Sequence, residues 1–184
     1  MASSSSSAAA GAGGAAAAGA ASVMPLRLSG AEIDALLEQR LIANLASINP
    51  DGSVHLIAMW FRRDGDRILF PTSHHTRKAR NLRARPSATV MVDRSVGGLD
   101  LRGVIVRGSV SFVEGDEARA LNRTIHERYV SAEGLALDAV SAYLGSGDDL
   151  TIAVAMERVS TWNLADGEAG RALSAAGAGL ALDA

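Results

Sequence analysis

Phe70-Pro71-Thr72-Ser73-His74-His75-Thr76-Arg77-Lys78-Ala79-Arg80-Asn81-Leu82-Arg83-Ala84-Arg85-Pro86 is the stretch on which the reading of this chain turns. Hydroxyls cluster at Thr72, Ser73 and Thr76, where an apolar run ends and a helical pattern begins. That helix stops before Pro86, because proline disfavours helical backbone in the residue preceding it. Unsatisfied N–H groups at a helix start, short hydroxyl donors and adjacent cations together suit a phosphate group. The stretch has no glycine-rich loop, so it is neither a P-loop nor a dinucleotide fingerprint. Lys78 is the single lysine among 18 basic residues. A compact ammonium retained beside three hydroxyls, in a chain that otherwise uses arginine, points to an anion bound there.

Outward from this segment the chain reads as hairpins. Ser29-Gly30-Ala31-Glu32 is a capping box opening a short helix with an apolar stripe of Ile33, Leu36 and Leu37. Residues 41–48 read as a strand and 49–52 (Asn-Pro-Asp-Gly) as a tight turn. Residues 54–61 return as a strand, Asp64-Gly65 makes the next hairpin, and 67–72 is a third strand. After the helix at 76–84, residues 88–93 and 101–113 are further strands. Residues 116–129 form a helix with Ala118, Leu121, Ile125 and Tyr129 on one face, and 135–144 a second short one. Residues 150–163 close the chain as a strand. Six strands in hairpins with few helices predict a mainly β fold, a six-stranded antiparallel split β-barrel and not a doubly wound sheet.

Composition sets the limits. The 184 residues suffice for one domain, and 48% hydrophobic content is enough for a core. The chain has no cysteine, which excludes disulfides, thiolate metal sites and a cysteine nucleophile. Between Arg62 and Arg107 there are eleven Arg or Lys against four Asp, so the middle of the chain is electropositive. Residues 1–23 are Ser, Ala and Gly apart from Met1 and Val23, too weakly apolar for a secretory signal or a membrane span and without the arginines of a transit peptide. They are read as a tail ahead of a domain at 24–166, and the Ala/Gly-rich residues 167–184 as a second tail. The expected location is the cytoplasm.

With these elements in place, the chain resembles the pyridoxamine 5'-phosphate oxidase-like superfamily of flavin- and deazaflavin-binding split barrels. The resemblance runs from about residue 41 to 162. It rests on the Asp51-Gly52 turn, the Ile57-Ala58-Met59-Trp60-Phe61 strand and the Asp64-Gly65 turn. It is strongest in Thr72-x3-Thr76-Arg77-Lys78-x2-Asn81-Leu82-x3-Pro86. The likeness implies that Thr72, Ser73, Thr76, Arg77 and Lys78, with Arg80 and Asn81, hold a cofactor phosphate. It also implies that the backbone of Ala58, Met59, Trp60 and Phe61 meets the edge of the cofactor ring, and that two copies form a homodimer.

Departures narrow the activity. The oxidase proper carries an arginine-rich strand before the phosphate motif and a terminal Trp/Arg/Pro signature, whereas here the strand reads His55-Leu56-Ile57-Ala58-Met59 and Trp162 is followed by Asn-Leu-Ala-Asp-Gly. Pyridoxamine phosphate oxidation is therefore not expected. The local sequence resembles the branch that uses coenzyme F(420), whose oligoglutamate tail would suit Arg80, Arg83 and Arg85, with no acid in that segment. The expectation is an oxidoreductase using coenzyme F(420), or FMN, for hydride transfer to a small conjugated molecule. A flavin or haem carrier is the alternative, and a nucleic-acid-binding barrel a third. The basic segment lacks stacking aromatics and a helix-turn-helix partner, so neither nucleic acid nor membrane is expected. His74 and His75 are adjacent, and His55 and His126 lack i+4 partners, so no metal is expected. No catalytic acid or base is nominated, because such a cofactor carries the hydride in its own ring.

Overall fold

The computed structural model describes residues 26–95, 100–145 and 147–177; the predicted tail at 1–23 lies outside them. Helix α1 (Gly30–Leu37) opens on the capping box: the Glu32 N–H donates to Ser29 Oγ, and the Ser29 N–H donates to Glu32 Oε2 at 2.7 Å. Strands β1 (Ala43–Ile48) and β2 (Val54–Met59) follow as a hairpin. Its turn needs Gly52, at φ +87°. Then come β3 (Arg62–Asp64), β4 (Arg67–Ser73), α2 (Arg77–Ala84), β5 (Ser87–Arg94), β6 (Arg102–Glu114), α3 (Gly115–Tyr129), α4 (Ala132–Leu135), α5 (Asp138–Leu144), β7 (Asp149–Ala155) and β8 (Arg158–Asn163). Helix α6 (Glu168–Ala175) lies within the predicted C-terminal tail and buries none of its residues.

All strand pairs are antiparallel, in the order β2-β1-β5-β6-β7-β4-β3, with β8 also on β6. This is a split barrel, as the sequence predicted, and β6 is its spine. Its first eight residues pair with β5, six of them also with β8, and its last five pair with β7. The chain crosses between halves at Gly108, where a Cβ would stand 1.8 Å from the Ala155 carbonyl oxygen. Alternation sends Ala43 and Leu45, Val90 and Val92, and Val104 and Val106 inward to meet Ile68 and Phe70. Leu36 and Leu37 of α1 and Leu82 of α2 pack on the same core. Each such buried aliphatic side chain contributes roughly 1.5–3 kcal/mol. Strand β7 is buried on both faces because α3 covers its outer side, and Thr151 Oγ1 donates to Asn122 Oδ1 there at 2.8 Å.

Eight strands form where six were expected, because the run 150–163 divides in two and a short strand, β3, forms beyond the end of the run 54–61. The run 54–61 breaks after Met59: the Phe61 N–H donates to the Tyr129 hydroxyl instead of a neighbouring strand, and β3 then joins the other half of the barrel. The run 150–163 breaks at Met156-Glu157. There the Met156 N–H donates to the Asp66 carbonyl, and the Glu157 carboxylate accepts from the Ser109 N–H and hydroxyl, turning β8 back across β6. Both partners are distant in sequence, so apolar patterning does not register either break.

Candidate functional site

The motif segment folds as a strand end, a three-residue loop and a helix start. Thr76 caps α2: its Oγ1 accepts from the Ala79 N–H at 3.4 Å and lies 3.0 Å from the Ser73 carbonyl and 3.1 Å from Thr72 Oγ1. The helix's own arginines fasten the loop. Arg80 donates to the His75 carbonyl at 2.7 Å and Arg83 to the His74 carbonyl at 3.1 Å. The first-turn N–H groups of Arg77 and Lys78 have no intrahelical acceptor, as at any helix start.

Beside this loop lies a cavity of about 630 Å³. Ala58, Met59 and Trp60 line it from the end of β2, Thr72 and Ser73 from β4, and Thr76 and Lys78 from the cap and first turn of α2. His126 and Val130 at the end of α3, and Val140 and Tyr143 of α5, form another wall. Lys78 is only 9% exposed and has neither an ion pair nor a hydrogen bond among the described residues. Burial pushes its ammonium below the ordinary value of 10.5, since removing a cation from water without a counter-ion disfavours the charged form. The cavity thus has a buried cation with three hydroxyls at one part of its wall, and apolar and aromatic groups over most of the rest.

Of the residues singled out from sequence, Ala58, Met59, Trp60, Thr72, Ser73, Thr76 and Lys78 come together here. Phe61 does not: its ring is fully buried in the core, and its backbone N–H and carbonyl are both beside the Tyr129 hydroxyl, at 3.4 and 3.2 Å. Arg77, Arg80 and Asn81 line a separate groove of about 800 Å³, shared with the turn at 49–53. The Asn81 amide donates to Ser47 Oγ and Asn49 Oδ1, holding α2 to the first hairpin. The expectation that Arg80, Arg83 and Arg85 extend positive charge is corrected at Arg83 alone, which pairs with Glu114 at 3.4 Å and lies over the Phe112 ring; Arg85 donates to the neutral Asn49 carbonyl at 2.6 Å and lines the same groove as Arg77 and Arg80. Glu114 arrives from β6, so the sequence around the arginines holds no sign of it.

The aromatic wall was missed in sequence. Trp60 stacks on Tyr129 with ring centroids 5.2 Å apart and 6° between planes, and meets His126 edge-on at 5.7 Å. Tyr129 also donates to the Leu41 carbonyl at 2.7 Å, tying α3 to the strands. The i, i+3 spacing of His126 and Tyr129 was the available signal; nothing local marks Tyr143. A larger cavity, about 900 Å³, lies between α3 and helices α4 and α5, and includes none of the predicted site residues. Among the described residues no three His, Asp or Glu side chains are grouped to hold a metal, and no helix is long and apolar enough to cross a membrane.

Comparison with known families matches residues 29–163 to the family described as pyridoxamine 5'-phosphate oxidase. No curated protein matches the chain. Among solved structures, a conserved hypothetical protein from Mycobacterium tuberculosis is 27% identical, with a TM-score of 0.63 over 74% of this chain and 85% of that one. An F420 reductase is 29% identical, with a TM-score of 0.57 over 72% of this chain and 98% of its own. A haem storage protein from Vibrio cholerae shares the fold at 19% identity, with a TM-score of 0.58 over 77% of this chain and 98% of that one.

Proposed function

The chain belongs to the pyridoxamine 5'-phosphate oxidase family, and from that premise we propose that it is an oxidoreductase that binds coenzyme F(420), with FMN as the alternative, for hydride transfer to a small conjugated molecule. The observation that carries this reading is Lys78, a buried ammonium without a partner among the described residues, beside the hydroxyls of Thr72, Ser73 and Thr76 in one cavity. A phosphate placed there supplies the missing counter-charge and takes charge-assisted hydrogen bonds. The first-turn N–H groups of α2 add to the same field.

The remaining residues orient and enclose. Among the described residues strand β2 pairs only with β1, so its other edge leaves N–H and C=O groups to meet the edge of a planar ring. Ala58, Met59 and Trp60 supply that edge, while the Phe61 backbone is held by Tyr129. Ile42, Val130, Val140 and Tyr143 cover the ring region with apolar surface and exclude water. When bound, a flavin or deazaflavin supplies the hydride from its own ring, so the chain is asked for binding and orientation.

Likeness to the F420 reductase favours the deazaflavin over FMN. Arg77 favours it as well: it is exposed, has no ion pair among the described residues, and lies with Arg80 in the outer groove where an anionic tail would run. A homodimer is part of the proposal. Val54, Leu56 and Ile48 share one sheet face with Met91, Ile105 and Trp162, with Val54 63% and Leu56 61% exposed. A second copy is the partner that would cover this face.

Fluorescence titration of the cofactor-free protein with coenzyme F(420) and FMN, side by side, tests the reading. Micromolar or tighter binding of the deazaflavin, with turnover of a conjugated acceptor, is expected. Tighter FMN binding transfers the site to the flavin alternative. Binding without turnover across a panel of acceptors makes the protein a carrier, and binding of neither removes the proposal.

A further inference from the structure

His126 stands on α3 with its ring half-buried against the same cavity. Its Nδ1 lies 2.5 Å from the Asn122 carbonyl oxygen, one turn back along the helix. A carbonyl oxygen only accepts, so Nδ1 carries the proton and donates it. That leaves Nε2 as the free ring nitrogen, and it has no hydrogen-bond partner among the described residues. Trp60 meets the ring at 85°, and Tyr143 at 67° with centroids 6.5 Å apart, so the plane is fixed from two sides.

The chemistry of the surrounding wall gives this geometry a consequence. Met59, Val130 and Val140 offer no polar side-chain contact beyond a weak sulfur, the Trp60 N–H is a donor only, the Tyr143 hydroxyl is free to turn as donor or acceptor, and Lys78 with its hydroxyls faces the demand for an anion, so among the described residues His126 Nε2 is the one acceptor held in place by a second hydrogen bond of its own ring. With Nδ1 committed to the Asn122 carbonyl, the Nδ1–H tautomer offers a lone pair at Nε2 in a set direction. Its complement is a hydrogen-bond donor on an otherwise flat, apolar molecule.

We propose that His126 is the specificity contact for the molecule bound beside the cofactor, and that it selects planar apolar ligands carrying a hydroxyl or N–H donor, such as a phenol or an enol. The inference rests on this cavity being the binding site, but not on which cofactor fills it.

Three measurements on the cofactor-free full chain test it. Long-range proton–nitrogen NMR of the histidine rings should show His126 as the Nδ1–H tautomer at neutral pH; the Nε2–H tautomer overturns the proposal. By calorimetry, 2-naphthol should bind about three- to tenfold more tightly than 2-methoxynaphthalene, which lacks the donor. Equal affinities, or no binding of either probe, overturn it. His126→Phe keeps an aromatic ring against Trp60 and Tyr143 but removes Nε2, and should erase the preference; a preference that survives assigns the contact elsewhere. Should that variant not fold, the tautomer and the pair of probes on the unmutated protein decide. These outcomes separate from the cofactor reading. Failure of both coenzyme titrations with the naphthol preference intact removes only the cofactor, and cofactor binding without the preference removes only His126.

Discussion

Lys78 is where a single side chain carries most of the functional argument. Its depressed ionisation makes it a cost to the free protein and a resource for binding. A lysine whose folded value falls below 10.5 binds its proton less tightly than in the unfolded chain, so stability rises with pH through the interval between the two. Lys78→Met keeps the buried stem and removes the charge. The cofactor-free variant should melt at or above the unmutated protein at pH 7, and the gap should close as pH climbs toward 10.5, read by calorimetry across that range. The same variant should lose about 1.5–3 kcal/mol of cofactor affinity, the worth of a hydrogen bond to a charged group. A variant that is less stable at neutral pH, or binds as well, removes Lys78 from the phosphate site. His126 is the complementary case, where one helix carbonyl decides which nitrogen a ligand meets.

Among the elements, β6 decides whether two half-sheets become one barrel. It runs through both halves, and the crossing is possible because Gly108 presents no Cβ to the Ala155 carbonyl. Gly108→Ala sets a side-chain carbon against backbone that cannot yield cheaply. It should destabilise by about 2–3 kcal/mol, at the upper end of overpacking costs, read as a lowered urea midpoint. Gly30→Ala is the control: it stands at the start of α1, where a Cβ meets nothing within 4 Å, and should be neutral or slightly stabilising. Helix α2 shows a second kind of element-level economy. Its arginines at 80 and 83 hold the carbonyls of the loop that precedes it, so loop and helix are fastened into a single unit.

At the scale of the whole molecule, the outer face of β2, β1, β5, β6 and β8 leaves Val54 and Leu56 exposed, and the proposed homodimer rests on it. Leu56→Arg places a charge on the edge strand of that face without touching the core or the cavity. Analytical ultracentrifugation should show the unmutated chain at about twice its 18.9 kDa mass and the variant as a monomer with an unchanged circular dichroism spectrum. An unmutated chain that sediments as a monomer ends the dimer proposal. A monomeric variant with weakened cofactor binding would add that the second copy completes the site.

Local chemistry in the sequence by itself determined the capping box of α1, the turns at Gly52 and Gly65, the Thr76-capped helix and the mainly β hairpin order. The same local chemistry marked Lys78 and its three hydroxyls, because caps, turns and charge clusters act between residues close in the chain. The likeness to the split-barrel superfamily came from motifs of that same local kind. Tertiary structure alone decided the rest. The breaks after Met59 and at Met156 depend on Tyr129, Asp66 and Ser109. The neutralisation of Arg83 depends on Glu114, and the diversion of Asn81 on Ser47 and Asn49. The aromatic wall of Trp60, His126, Tyr129 and Tyr143 is assembled from β2, α3 and α5. Each of these is a contact between elements far apart in the chain, and a one-dimensional pattern holds no distance between them.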